Sequence, residues 1–207
     1  MTDVLILHAA LPGEIAAGPA AALLAQLPYG RRLELERRDA AACLASLAGT
    51  ALVLAGAGRL RGRPVDVAQL RFPQGGKPSL AGGPSFSVSH SGRRVAVALC
   101  ADAEVGLDVE EVPAGNDARG PAARSLGQWT ATEASLKSVG AGLRAASEVR
   151  LSQDQSLAIL AGAVIHLRPL ELAEGCVACL ATPVVVAQLT LEEVTVRWPP
   201  PVSRAAG

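Results

Sequence analysis

Aromatic residues are nearly absent from this chain: two Trp, two Phe and one Tyr in 207 residues, together with a single Met. Charge of one sign is also missing, since 19 Lys and Arg balance 19 Asp and Glu. A general nucleic-acid binder would carry a basic excess and a set of stacking rings, so that class is excluded. The four cysteines, Cys43, Cys100, Cys176 and Cys179, are too scattered to demand an oxidising compartment. Cys176 and Cys179 have a redox or half-zinc spacing, but no second pair or nearby His completes a metal site, and their apolar surroundings read as two small buried thiols.

No basic start marks a signal peptide. Met1 to Gly13 reads as a first strand closed by Pro12-Gly13. The longest uncharged run, Ala40 to Gly58, nearly suits a membrane span, yet Ser46 and Thr50 lie inside it and Gly49, Gly56 and Gly58 break or close it. The expectation is a buried helix entered near Asp39, with Leu44, Leu47 and Leu52 turned to the core, and a chain in the cytoplasm without a membrane partner.

What is present is a core. Half of the residues are apolar, enough for one ordinary domain or two small lobes. Ala16 to Leu27 reads as a helix, Arg31 to Leu35 as a strand or loop, Val65 to Phe72 as a short strand, and Pro73 to Pro78 as a loop. Arg31, Arg32, Arg37 and Arg38 form a basic cluster, which by composition is a solvated face. Glu111 to Gly127 reads as a loop. Leu157 to Leu167, Cys176 to Ala181, Val184 to Leu189 and Val194 to Trp198 read as late strands of one sheet.

Chemistry concentrates in two stretches. Phe86 to Glu110 alternates as strand, turn, strand, turn, strand, with Phe86 and Val88 opposed to Ser87 and Ser89. At its end Val105, Leu107 and Val109 alternate with Gly106, Asp108 and Glu110, so both carboxylates share a face. Carboxylates that close are tolerated only in good solvent or with a cation between them, and a hard divalent ion is the obvious candidate. A plain edge strand wetted on its polar face is the competing reading. In the second stretch, Trp129 to Gly140, Thr130 reads as an N-cap with Glu133 as its capping-box partner, and Gly140 as the stop. Lys137 lies four residues after Glu133, an ordinary pair worth about 0.2–0.5 kcal/mol. His90, between two serines at a strand end, could donate to a phosphate oxygen, whereas His8 and His166 sit in apolar runs and read as structural.

Taken in order, Gly76-Lys77-Pro78, Phe86-Ser87-Val88-Ser89-His90-Ser91, Val105 to Glu110 and Trp129 to Lys137 resemble the motif series of the 4'-phosphopantetheinyl transferases. The likeness is to the larger, two-lobed class that primes carrier proteins of peptide and polyketide synthases, and it spans about Leu70 to Leu143. Such a resemblance implies an α+β fold of two pseudo-symmetric lobes, here residues 1–102 and 103–207, with the site in the cleft between them. It implies Asp108, Glu110 and Glu133 as ligands of Mg2+, with Mn2+ as an alternative. Coenzyme A, the co-substrate, would be held by Gly76, Lys77, Pro78, Ser89, His90 and Lys137, and its 3'-phosphate by basic residues near Arg31 to Arg38. An acyl or peptidyl carrier protein is the implied partner and a monomer the expected state. Glu133, Lys137 and His90 are the implied catalytic residues, Glu133 as base for the carrier serine, directly or through one water. Where the family usually has Asn this chain has Ser87, and Thr132 stands where many relatives have Lys. Ala41 and Ala42 follow Asp39-Ala40, where an arginine is usual. The residues alone leave two alternatives, a metal-dependent hydrolase of coenzyme A or a nucleotide diphosphate, and a non-catalytic binder of coenzyme A or a carrier protein.

Overall fold

A computed structural model describes residues 2–11, 17–115 and 120–199. The fold is mixed α+β, and its centre is a four-stranded sheet of order β11-β1-β5-β4. Strand β1, Thr2–Ala10, is buried on both faces: Leu5, Leu7 and Ala9 turn to one core, Val4 and Ile6 to another. Two-sided burial is why this strand is a continuous apolar run instead of an alternating one. β4, Ser85–Ser91, and β5, Arg94–Cys100, form the predicted hairpin around Gly92. Pro12 and Gly13, the expected end of the first strand, lie outside the described residues.

Three helices cover one face of this sheet: α1, Ala17–Gln26; α2, Tyr29–Glu36; and α3, Ala40–Arg61. Asp39 caps α3 by accepting from Ala42 N at 2.8 Å, and Gly62 ends it in the left-handed conformation. Gly49, Gly56 and Gly58 therefore do not interrupt it. A Cβ at Gly49 would stand 2.5 Å from Val88 Cγ1 and one at Gly56 2.6 Å from Leu99 Cδ1, so these glycines let the helix lie close on β4 and β5. The helix is long and apolar enough to cross a membrane, but two thirds of its most apolar window is buried within the protein. Arg31 to Leu35, expected as strand or loop, is helical; Arg31–Glu34, Arg32–Glu36 and Glu34–Arg38 are pairs at i,i+3 and i,i+4, and only Leu35 needs the core. Of the strand expected over Val65 to Phe72, only β2, Leu70–Arg71, pairs, with β3, Ser79–Leu80; a 3-10 turn, Val67–Gln69, precedes it.

The second sheet has the order β6-β10-β9-β8-β7, all antiparallel. Its strands are β6, Gly106–Glu111; β7, Arg150–Leu151; β8, Leu157–Leu160; β9, Ala163–Leu170; and β10, Cys176–Thr182. Leu157 to Leu167 is thus a hairpin, not one strand, because Ala161 and Gly162 both take positive φ. One face of this sheet meets β1 and β5 through Val105, Leu107, Val109 and Leu180; the other carries helix α4, Pro121–Val139. α4 starts nine residues before Thr130. Gly120-Pro121 opens it, Pro at the first position costing no hydrogen bond, so Thr130 is not an N-cap and Glu133 not its capping-box partner. Thr130 lies buried in mid-helix, its hydroxyl donating to Gly127 O. The loop expected over Glu111 to Gly127 shrinks accordingly; residues 116–119 of it lie outside the described residues.

The last strand, β11, Val186–Glu193, does not join the second sheet. It pairs parallel with β1 in the first, and Val194, Val196 and Trp198, expected as a strand, pack without strand pairing against the first core.

Candidate functional site

Period two along β6 turns Gly106, Asp108 and Glu110 toward α4, as the alternation predicts. A Cβ on Gly106 would lie 2.0 Å from Ala134 O, so the helix rests directly on the strand backbone at that point. The close seat brings Glu133 and Lys137, one turn apart, over Asp108. One carboxylate oxygen from each of Asp108, Glu110 and Glu133 falls within 4.8 Å of the other two.

Lys137 Nζ lies 2.5 Å from Asp108 Oδ1 and 3.5 Å from Glu133 Oε2, so the expected i,i+4 pair exists but is the longer of its two ion pairs. Its ammonium also donates to Ser89 Oγ at 3.2 Å. Asp108 is only 2% exposed, and its Oδ2 is buried without a partner among the described residues. Burial, then the Asp108 carboxylate, raise the Glu133 pKa, and Lys137 opposes them. Three carboxylates against one ammonium, with a buried acceptor left unpaired, fit a hard oxygen-seeking divalent cation.

Lys137 also lines a cleft of about 330 Å³. Arg31 and Arg38 reach it from α2 and the turn after it, Ser46 and Thr50 from α3, Phe72 and Gly75 to Pro78 from the loop, His90 from β4, and Gly140 to Gly142 from the end of α4. Each oxygen of Glu34 holds one guanidinium, Arg31 at 2.7 Å and Arg38 at 2.8 Å, leaving a net positive charge at the cleft wall. Arg31 also stacks over Phe72, 5.2 Å from the ring centre, and its Nε is buried without a partner among the described residues. Burial, Arg38 and Lys137 hold the His90 pKa below its usual value, so the imidazole is neutral at pH 7 and offers one N–H.

Of the residues marked from sequence, Gly76, Lys77, Pro78, His90 and Lys137 meet in this cleft, while Ser89 sits behind it on Asp108. The Lys77 ammonium has three acceptors of its own, Glu104 Oε2 at 2.6 Å, Val105 O at 2.8 Å and Ser85 Oγ at 3.3 Å, which use all its protons. Sequence reasoning missed Ser46, Thr50 and Glu34. The first two were detectable as the only polar side chains spaced by four in an apolar helix, and Glu34 by its spacing to Arg31 and Arg38. His8 is buried in β1, and Cys176 and Cys179 project to opposite faces of β10, which separates the two thiols. Compared with known proteins, the chain matches no protein-family model and no curated protein.

Proposed function

We propose that this protein transfers the 4'-phosphopantetheine group of coenzyme A to a serine of an acyl or peptidyl carrier protein, releasing 3',5'-ADP. The observation that carries the reading is the unpartnered, buried Oδ2 of Asp108 within a carboxylate trio, joined through Lys137 to a cleft walled by Arg31, Arg38 and His90. A polyphosphate ligand needs that combination of cations and a cation-binding carboxylate set. We read the two sheets, each with one long helix, as the two lobes of the fold, and the cleft as lying between them.

Asp108, Glu110 and Glu133 would hold Mg2+, or Mn2+, which supplies charge neutralisation at the pyrophosphate. Arg31 and Arg38, already fixed by Glu34, would take the 3'-phosphate in place of the arginine missing after Asp39-Ala40. His90 would donate its N–H to a phosphate oxygen, and Lys137 would neutralise charge that develops on the transferred phosphoryl group. Glu133, set on α4 beside Asp108 and Lys137, would take the proton of the carrier serine as the serine oxygen bonds to phosphorus. The bond from that phosphorus to the bridging oxygen breaks, and 3',5'-ADP leaves. Lys77 contributes by holding the Gly76 to Pro78 loop against Glu104 and Val105.

Intact-mass measurement of an apo carrier protein with this protein, coenzyme A and Mg2+ tests the proposal. A phosphopantetheine mass gain is expected, abolished by EDTA and slowed about 10²- to 10⁴-fold by Glu133→Gln. Release of 3',5'-ADP with no gain on any carrier would overturn transfer in favour of hydrolysis; neither product would overturn catalysis.

A further inference from the structure

β6 is the edge strand of its sheet, and the N–H groups of Leu107, Val109 and Glu111 are donors that no strand of that sheet takes up among the described residues. Alternate hydroxyls of β4 meet them: Ser87 Oγ accepts from Leu107 N at 2.9 Å, Ser89 Oγ from Val109 N at 3.3 Å and Ser91 Oγ from Glu111 N at 3.1 Å. The period of two on β4 matches the period of two on β6, so one serine stripe caps one strand edge.

A hydroxyl has one proton and two acceptor sites. Once a backbone N–H is directed at the oxygen, the proton must go elsewhere. At Ser89 it goes to Asp108 Oδ1, 2.7 Å away, and at Ser91 to Glu110 Oε2, 2.6 Å away. Among the described residues no carboxylate takes the Ser87 proton, which faces Leu107 O at 3.4 Å. Two rungs of the ladder therefore end on the carboxylate trio and one does not.

We infer that Ser89 and Ser91 are positioning residues of the metal site, each pinning one oxygen of a ligating carboxylate and leaving the second for the cation. Ser89 and Lys137 together occupy Asp108 Oδ1, which accounts for Oδ2 being the oxygen without a partner. The inference rests on the metal assignment in the proposed function. It adds that the strand before the D-x-E motif tunes metal affinity through the side chains that cap the edge.

The test is a Mn2+ titration of the full chain without coenzyme A or carrier, reading free Mn2+ by electron paramagnetic resonance, beside thermal unfolding of the metal-free protein. Ser89→Ala and Ser91→Ala should each weaken Mn2+ binding about 10- to 100-fold. Ser91→Thr keeps the hydroxyl in a strand that tolerates β-branching and should restore it. Ser87→Ala loses a cap alone; it should lower the unfolding midpoint by about 2–4 °C and leave Mn2+ affinity unchanged. Ser89→Ala and Ser91→Ala that lose stability as Ser87→Ala does, yet bind Mn2+ as the wild type, would overturn the inference while sparing the metal assignment. A wild-type chain that binds no Mn2+ would overturn both.

Discussion

His8 stands on β1 in the core between the two sheets, and its Nδ1 is buried without a partner among the described residues. Burial lowers its pKa, Arg94 adds to that, and Glu193 opposes it. In the unfolded chain the imidazole returns to about 6.5, so below that pH the unfolded state binds more protons than the folded one. His8 therefore contributes stability that is whole above about pH 6.5 and is lost as pH falls through the lowered folded value. The unfolding midpoint should fall more steeply with acid in the wild type than in His8→Leu, between about pH 7 and 5. Parallel curves for the two proteins would show that another group carries the acid sensitivity.

At the scale of elements, the site depends on how closely α4 approaches β6. Gly106 permits it: a methyl there would meet Ala134 O and, at 2.5 Å, Ser138 N, both backbone atoms that cannot rotate away. Gly106→Ala should cost about 1–3 kcal/mol by overpacking and, by lifting α4, separate Glu133 and Lys137 from Asp108. Calorimetry together with the Mn2+ titration would register both losses; an unchanged midpoint would mean that the helix seat is softer than the contact distances imply. Gly49 and Gly56 make a useful contrast, because a methyl on either meets the side chains of Val88 or Leu99. Leu99 Cδ1 ends a side chain with two rotatable bonds, so Gly56→Ala should cost less than Gly106→Ala, whereas Val88 is stiff at χ1 and gives less at Gly49.

For the molecule as a whole, the return of β11 ties residues 186–193 to β1. It covers the edge of β1, Arg59 grips Glu192 through two bonds of 2.8 and 2.7 Å, Arg94 reaches Glu193 at 3.0 Å, and Val194 to Trp198 pack on the first core. Cutting between residues 102 and 103 leaves β1 with one exposed edge and an uncovered core. Residues 1–102 alone should therefore lack a cooperative unfolding transition, and mixing with residues 103–207 should restore one. A sharp transition for the first fragment by itself would refute that dependence.

Local pattern in the sequence determined β1, α1, the entry to α3 at Asp39, the β4–β5 hairpin, the common face of Asp108 and Glu110, and the stop of α4 at Gly140. Each of these follows from periodicity or from a cap, properties of neighbouring residues. Tertiary structure alone decided what depends on distant contact. Glycines that look like breaks in α3 are close-packing positions, and Leu33-Glu34-Leu35 imitates a strand while its ion pairs belong to a helix. The start of α4 was hidden by a stretch rich in Pro, Gly and Ala. That Glu133 and Lys137 meet Asp108 follows from Gly106 lying under Ala134, 28 residues away in sequence. The Lys77 ammonium reads as a free loop cation until Glu104 and Val105 are beside it. Parallel pairing of β11 with β1 leaves no local mark, because a strand's period tells which face is buried and nothing about which neighbour accepts its hydrogen bonds.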